Sequence, residues 1–348
     1  MVKTITFHSS RGGTGKTTIA SNLSAFLAKR GYTVCLLDLD INAPSLDVYF
    51  EKEPKIGIND FLFSERSTID DIMIDLSPMV NENKYEGNHS NSNSESFIPK
   101  DQQVVGQLHG KLLVGFNSKN REEKDDKGEN VAATMTKEQC LRRLILFHEL
   151  LKSIYDPDYI IIDAAFSMTY WSINAMAIAD ISILILKMAD IDIKGTKNIV
   201  TACYDSFKKN GCKWFLLCNK VAGYCTPQNQ TMMPISHVNT TKTYYDDNYS
   251  YAHAHSKKRS ASSSSSSSSS LPSYYYSQEH LAEQYGETDI ENALYKELGI
   301  KPICTIPCYC DMQFSKKEFL TSIQYPYHSF SRKIKTLADS IQQEAKNI

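Results

Sequence analysis

The sequence predicts an α/β fold: a mostly parallel, doubly wound sheet with helices on both faces. Three observations carry this expectation. The run Lys3-Thr4-Ile5-Thr6-Phe7-His8 is β-branched and aromatic, and a glycine-rich turn joins it to a segment where Ile19, Leu23, Phe26 and Leu27 recur at helical spacing. Thr33-Val34-Cys35-Leu36-Leu37 and Tyr159-Ile160-Ile161-Ile162 are continuous apolar runs, each finished by a carboxylate, Asp38 and Asp163. Strands apolar on both faces belong to sheets covered on both sides. Finally, such runs alternate with helical patterns along the 348 residues, as parallel sheets require.

The first turn, Ser9-Ser10-Arg11-Gly12-Gly13-Thr14-Gly15-Lys16-Thr17-Thr18, is a phosphate loop in its proper setting of strand, glycine-rich turn and helix. Glycines let the backbone turn tightly and aim N–H groups inward. The helix N-terminus adds partial positive charge. Lys16 is expected to reach the β- and γ-phosphates, and the Thr17 hydroxyl to ligate Mg²⁺. The expected nucleotide contacts are Gly12, Gly13, Thr14, Gly15, Lys16, Thr17 and Thr18.

Next in order, Gly31 stops the first helix, and the second strand ends in Asp38-Leu39-Asp40. A carboxylate at the carboxyl end of a parallel strand faces the ligand crevice. Asp38 and Asp40 are two apart, so one can turn toward a metal while the loop carries the other forward. Asp163 ends its strand in the Walker B manner, where the carboxylate holds Mg²⁺. Thr17, Asp38 and Asp163 are therefore the predicted metal residues.

Arg11-Gly12-Gly13 crowds the loop and places a second cation five residues before Lys16. This resembles the deviant phosphate loop, Lys-Gly-Gly-x-Gly-Lys-Thr, of the MinD/ParA family of dimerising ATPases, and the expected class is a P-loop NTPase. The resemblance implies that Arg11 reaches the nucleotide of a partner subunit, with Arg standing where the family has Lys. It implies that Asp38-Leu39-Asp40-Ile41-Asn42-Ala43-Pro44-Ser45-Leu46 is a switch I whose Asp40 positions the attacking water. It also implies that Asn219, at the end of Trp214-Phe215-Leu216-Leu217-Cys218-Asn219, reads adenine. Ala222 stands where a guanine-reading Asp would be, which favours ATP. One segment departs from the pattern. After Asp163 the family has a Pro- and Gly-containing switch II, whereas this chain has Ala164-Ala165-Phe166-Ser167-Met168.

Gly57 to Phe63 and Ile69 to Met73 read as short helical pieces, and Lys111 to Phe116 as a strand. Thr136 to Ile154 is a helix with a Thr136/Gln139 capping box and an apolar face of Leu141, Leu144, Leu146, Phe147, Leu150 and Leu151. Asn174 to Asp180 is a helix leading into the strand Ile181 to Leu186. Asp192 to Asn210 and Thr288 to Leu298 are helices, and Ile303 to Ile306 is a strand. The final helix, from Ser329, carries Phe330, Ile334, Leu337 and Ile341 on one stripe, which reads as core rather than a lipid-facing surface. The whole chain, 1–348, is expected to be one domain with polar, disordered insertions at 78–103, 119–135 and 224–285, the last holding a nine-serine tract.

Net charge is −2, so no global basic field argues for nucleic acid. No run approaches the roughly eighteen apolar residues of a membrane span. Nine scattered cysteines and a chain that opens directly on a strand suit reduced thiols in the cytoplasm. Cys304, Cys308 and Cys310 lack the Cys-x-x-Cys spacing of the iron–sulfur carriers related to MinD. The expected function is a Mg²⁺-dependent ATPase and ATP-dependent homodimer used for chromosome partitioning, division or protein positioning. Its further partners would be an activating protein and a DNA or membrane surface. The alternative is a nucleotide-gated scaffold that binds ATP with little hydrolysis.

Overall fold

The structure is a computed structural model describing residues 2–63, 67–81, 110–118, 136–209, 211–221, 287–313 and 320–346. The predicted insertions at 119–135 and 224–285 lie outside these residues, as does most of 78–103. At its start the helical turn Ser77–Asn81, with Val80 buried, carries the chain four residues into that last range.

Eight strands form one sheet: β1 (Lys3–His8), β2 (Thr33–Leu39), β3 (Met73–Asp75), β4 (Lys111–Gly115), β5 (Tyr159–Ala164), β6 (Ile181–Leu186), β7 (Lys213–Val221) and β8 (Pro302–Pro307). Their spatial order is β3-β4-β2-β5-β1-β6-β7-β8, with every pairing parallel except β3 against β4. The mostly parallel doubly wound sheet is as predicted. The short antiparallel β3 was not, because three residues are too few to show a period.

Alternate strand residues feed opposite faces, as the pleat demands. On β6, Ile181, Ile183 and Ile185 join one core, whereas Leu184 and Leu186 join another. On β5, Ile161 faces the first core and Ile160 and Ile162 face a third. Helices α1 (Lys16–Lys29) and α6 (Ser329–Ala345) cover the first face. Phe330, Ile334, Leu337 and Ile341 are all buried there, each worth about 1.5–3 kcal/mol. That stripe is core.

The opposite face is covered by α2 (Lys137–Tyr155), α3 (Tyr170–Ala177), α4 (Asp190–Lys209) and α5 (Glu287–Leu298). The capping box on α2 forms as expected: the Gln139 amide donates to Thr136 Oγ1 at 3.2 Å, and the Thr136 amide donates to Gln139 Oε1 at 2.7 Å. Leu144, Phe147 and Leu151 turn inward, but Leu146 is exposed. Two residues past Leu144 is about 200° around a helix, so Leu146 cannot share that face. Helix α3 begins earlier than its predicted 174–180 because Thr169 caps it, accepting from the Ser172 amide at 3.2 Å, and it ends at Ala177.

Candidate nucleotide site

The site lies at the carboxyl ends of the central strands, where β1 releases the phosphate loop between β5 and β6. Gly15 adopts φ 93°, a left-handed conformation that lets α1 start immediately at Lys16. A Cβ there would also fall 2.4 Å from Asn219 Nδ2. The Asn219 amide donates to the Thr14 carbonyl at 2.7 Å, so the residue predicted to read adenine also holds the loop backbone. Lys16 is buried, and its ammonium donates to Ser9 Oγ at 3.1 Å. Burial lowers its pKa, opposed by Asp163, Asp40 and Asp38. Thr18 Oγ1 shares a 2.7 Å hydrogen bond with the Tyr49 hydroxyl.

The predicted metal residues converge. Asp38 and Asp163 occupy directly paired positions on β2 and β5, and both are buried. One oxygen of Asp38 accepts from the Asp40 amide at 3.0 Å, and the other from the amides of Ser45 and Leu46 at 3.1 and 3.3 Å. Burial, then the Asp163 charge, push Asp38 well above the ordinary carboxylate range. Burial also raises Asp163, to about 6, although Lys16 and a hydrogen bond from Thr17 pull it down. Asp163 Oδ1 has no hydrogen-bond partner among the described residues. Two adjoining buried carboxylates, one with an unsatisfied oxygen, beside a threonine hydroxyl form an all-oxygen set that suits a hard divalent cation. Asp40 lies half-buried past the strand end, where its Oδ1 accepts from the Ala43 amide at 3.1 Å.

Arg11 lies on the other flank. Its Nε is 3.6 Å from Asp192 Oδ1 at the start of α4, with half of the arginine side chain exposed. Lys187 Nζ approaches the other Asp192 oxygen at 3.8 Å. The loop sits tightly on α4, since a Cβ on Gly195 would lie 2.8 Å from the Ser10 side chain. Gly12 and Gly13 line the turn between Arg11 and Thr14, with the Phe166 ring packed over Gly12.

Four residues around the site were not predicted. Ser45 donates to Thr17 Oγ1 at 3.1 Å, fixing the hydroxyl beside Asp163. Asn117 donates to the Asp38 carbonyl at 3.0 Å and supports that strand end. Asp192 holds Arg11. His8 is fully buried below the loop, and its Nδ1–H donates to the Ala165 carbonyl at 3.0 Å. Burial and the nearby Lys16 lower its pKa to about 4, against the opposing Ala165 bond. Of these, only Ser45 belongs to a segment expected to act at the site, the switch I run from Asp38 to Leu46. The other three act through the fold, across separations that carry no local signal.

Residues 5–235 match the family model described as the CobQ/CobB/MinD/ParA nucleotide binding domain. A septum site-determining protein MinD of Thermotoga maritima is 46% identical over 56 residues, 16% of this chain and 21% of that protein. An iron–sulfur cluster carrier protein of Pyrococcus furiosus is 47% identical over 53 residues, 13% of this chain and 18% of that protein. The chain thus spans only about a fifth of the length of these curated relatives. The solved structure of MinD from Pyrococcus horikoshii, complexed with Mg-ADP, superposes with a TM-score of 0.57 at 15% identity, covering 99% of this chain and 98% of that one. At that identity the likeness shows the fold. With the family model matched over more than half its length, the chain belongs to the CobQ/CobB/MinD/ParA family of P-loop nucleotide-binding proteins.

Proposed function

We propose that this chain is a Mg²⁺-dependent ATPase whose ATP-bound form dimerises and serves as a positioning or partitioning switch in the cytoplasm. The observation that carries this reading is the convergence of Lys16, Thr17, Asp38 and Asp163 at one crevice. Thr17, Asp38 and Asp163 would hold Mg²⁺, which neutralises charge on phosphate oxygens when bound there. Lys16 directs its ammonium at the β- and γ-phosphates. Asp40 accepts a hydrogen bond from the water that attacks the terminal phosphorus. The bridging P–O bond breaks, ADP and inorganic phosphate leave, and the water's proton passes to solvent. Arg11 exchanges Asp192 for the phosphates of the partner subunit and neutralises charge late in the reaction.

Asn219 reads adenine in this scheme. With one N–H on Thr14, it retains a second N–H and its carbonyl oxygen, which complement adenine N7 and the N6 amine. We place the whole chain, 1–348, in one domain interrupted by polar insertions. An activating protein acts on its dimer. No helix among the described residues is long and apolar enough to cross a membrane. A nucleotide-gated scaffold with little hydrolysis is a second reading, favoured by the apolar switch II segment at Phe166.

Calorimetric titration with Mg-ATP and Mg-GTP tests the proposal. Tight ATP binding, weaker GTP binding and no binding by Lys16→Ala are expected. Equal affinity for ATP and GTP would remove Asn219 from its reader's role, and no ATP binding at all would overturn the function.

A further inference from the structure

Phe166 is a large apolar side chain, 44% exposed, in the segment where the family pattern has glycine. Its ring lies over the phosphate loop: a Cβ on Gly12 would meet it at 3.6 Å, and Lys16 Nζ is 5.8 Å from its centroid. That separation is within range of a cation–π attraction. The segment bearing the ring is tied down on both sides. His8 donates to the Ala165 carbonyl at 3.0 Å from beneath, and the Ser167 amide donates to the Ser9 carbonyl at 2.9 Å. The Ser167 carbonyl is engaged as well, accepting from Ser172 Oγ at 2.7 Å and the Thr169 amide at 2.9 Å. Ser167 itself has φ 66°, a left-handed conformation held by these bonds. The peptide groups of Ser167 are therefore committed to the protein, and what the segment presents to the phosphate loop is a phenyl ring.

We propose that Phe166 sets the rate of hydrolysis by limiting water's access to the terminal phosphate, with His8 as the positioning residue that holds its segment against the loop. The proposal rests on the ATPase reading and deepens it. The ring offers no hydrogen-bond donor to a developing phosphate charge and occupies the space above Gly12, beside the ammonium of Lys16. Water reaches the phosphorus only when the ring moves aside, and that motion must break the Ser9–Ser167 bond or turn the side chain. ATP capture is left intact, because the groups that seize the nucleotide belong to the loop and not to this segment. A partner that draws Phe166 outward would accelerate turnover without any change in the phosphate loop.

Single-turnover hydrolysis and equilibrium ATP binding, measured on the full chain, test this together. Phe166→Ala is expected to raise the single-turnover rate at saturating ATP at least tenfold, with the dissociation constant changed less than threefold. Phe166→Leu, which keeps much of the bulk, should stay near the wild type. His8→Asn should move the rate in the same direction as Phe166→Ala, by a smaller factor. An unchanged or slower rate in Phe166→Ala with binding intact overturns the gate and leaves the ATPase reading standing. A Phe166→Leu rate equal to that of Phe166→Ala overturns it as well. Wild-type protein that binds no ATP overturns the ATPase reading, and the gate with it.

Discussion

The phosphate loop has two unlike flanks. On one, Asp38 and Asp163 are buried side by side, and their charges repel each other in a water-poor setting. On the other, Arg11 and Lys187 already face the single buried carboxylate of Asp192, with half of the arginine in solvent. The first flank sets charge against its own stability, which is how a site for a divalent cation is built. On the second, the arginine already has a buried anion within its own chain. Its arginine must exchange one anion for another before it can act elsewhere. The first flank suits a cation held beside the captured nucleotide, and the second suits a response to that capture.

The largest expected effect falls on the loop between them. Lys16→Ala removes a buried cation aimed at phosphate, a charge-assisted contact among the stronger kinds. ATP affinity should fall by at least about 100-fold, near 3 kcal/mol, with the fold intact by circular dichroism. Retained tight binding would mean that the flanks, not the loop, capture the phosphates.

Acid should act with opposite signs on two buried groups beside the loop. His8 supports the Phe166 side, and its folded-state pKa of about 4 lies below the ordinary 6.5. Between those values the unfolded chain binds a proton that the folded chain refuses, so stability falls as pH drops from 6.5 toward 4. Wild type should lose about 2–3 kcal/mol more than His8→Asn between pH 7 and 4.5. Asp163, raised to about 6, works the other way. Between about 6 and 3.8 the folded chain holds the extra proton, so this group destabilises as pH rises through that window and stabilises on acidification. Asp163→Asn should be more stable than wild type at pH 7 without Mg²⁺, by an amount on the order of 1–3 kcal/mol. It should also lose the dependence of ATP affinity on Mg²⁺. Denaturant titrations across pH check both signs, and parallel profiles for the two variants would erase the contrast.

How much of this was legible depended on distance along the chain. The phosphate loop, the strand-end carboxylates and the core stripe of α6 are local patterns, and the structure places them as expected. That Asp38 and Asp163 sit at paired register positions follows from the strand order, which puts β5 between β1 and β2 and which no single motif encodes. The Arg11–Asp192 pair joins residues from opposite halves of the chain, and only the fold of β6 into α4 brings them together. A lone histidine such as His8 carries no signal in a strand. Its role appears once the segment after β5 is seen to cross the top of β1. Leu146 was misplaced because a hydrophobic residue was counted without its helical angle.

The smallest expected stability change belongs to the arginine flank. Arg11 is half exposed, and Lys187 remains beside Asp192 when it is removed, so Arg11→Ala should shift stability by less than about 1 kcal/mol. Monomeric ATP binding should survive within a few-fold by calorimetry. A larger loss of stability would make the pair a structural strut.

Whether nucleotide capture at the phosphate loop is converted to assembly through the Arg11 flank is read out by sedimentation velocity of the full chain with Mg²⁺ and a slowly hydrolysed ATP analogue. A dimer is expected with the analogue, a monomer with ADP or without nucleotide, and a monomer under all conditions for Arg11→Ala. A wild-type chain that binds the analogue yet stays monomeric at high concentration would contradict that conversion.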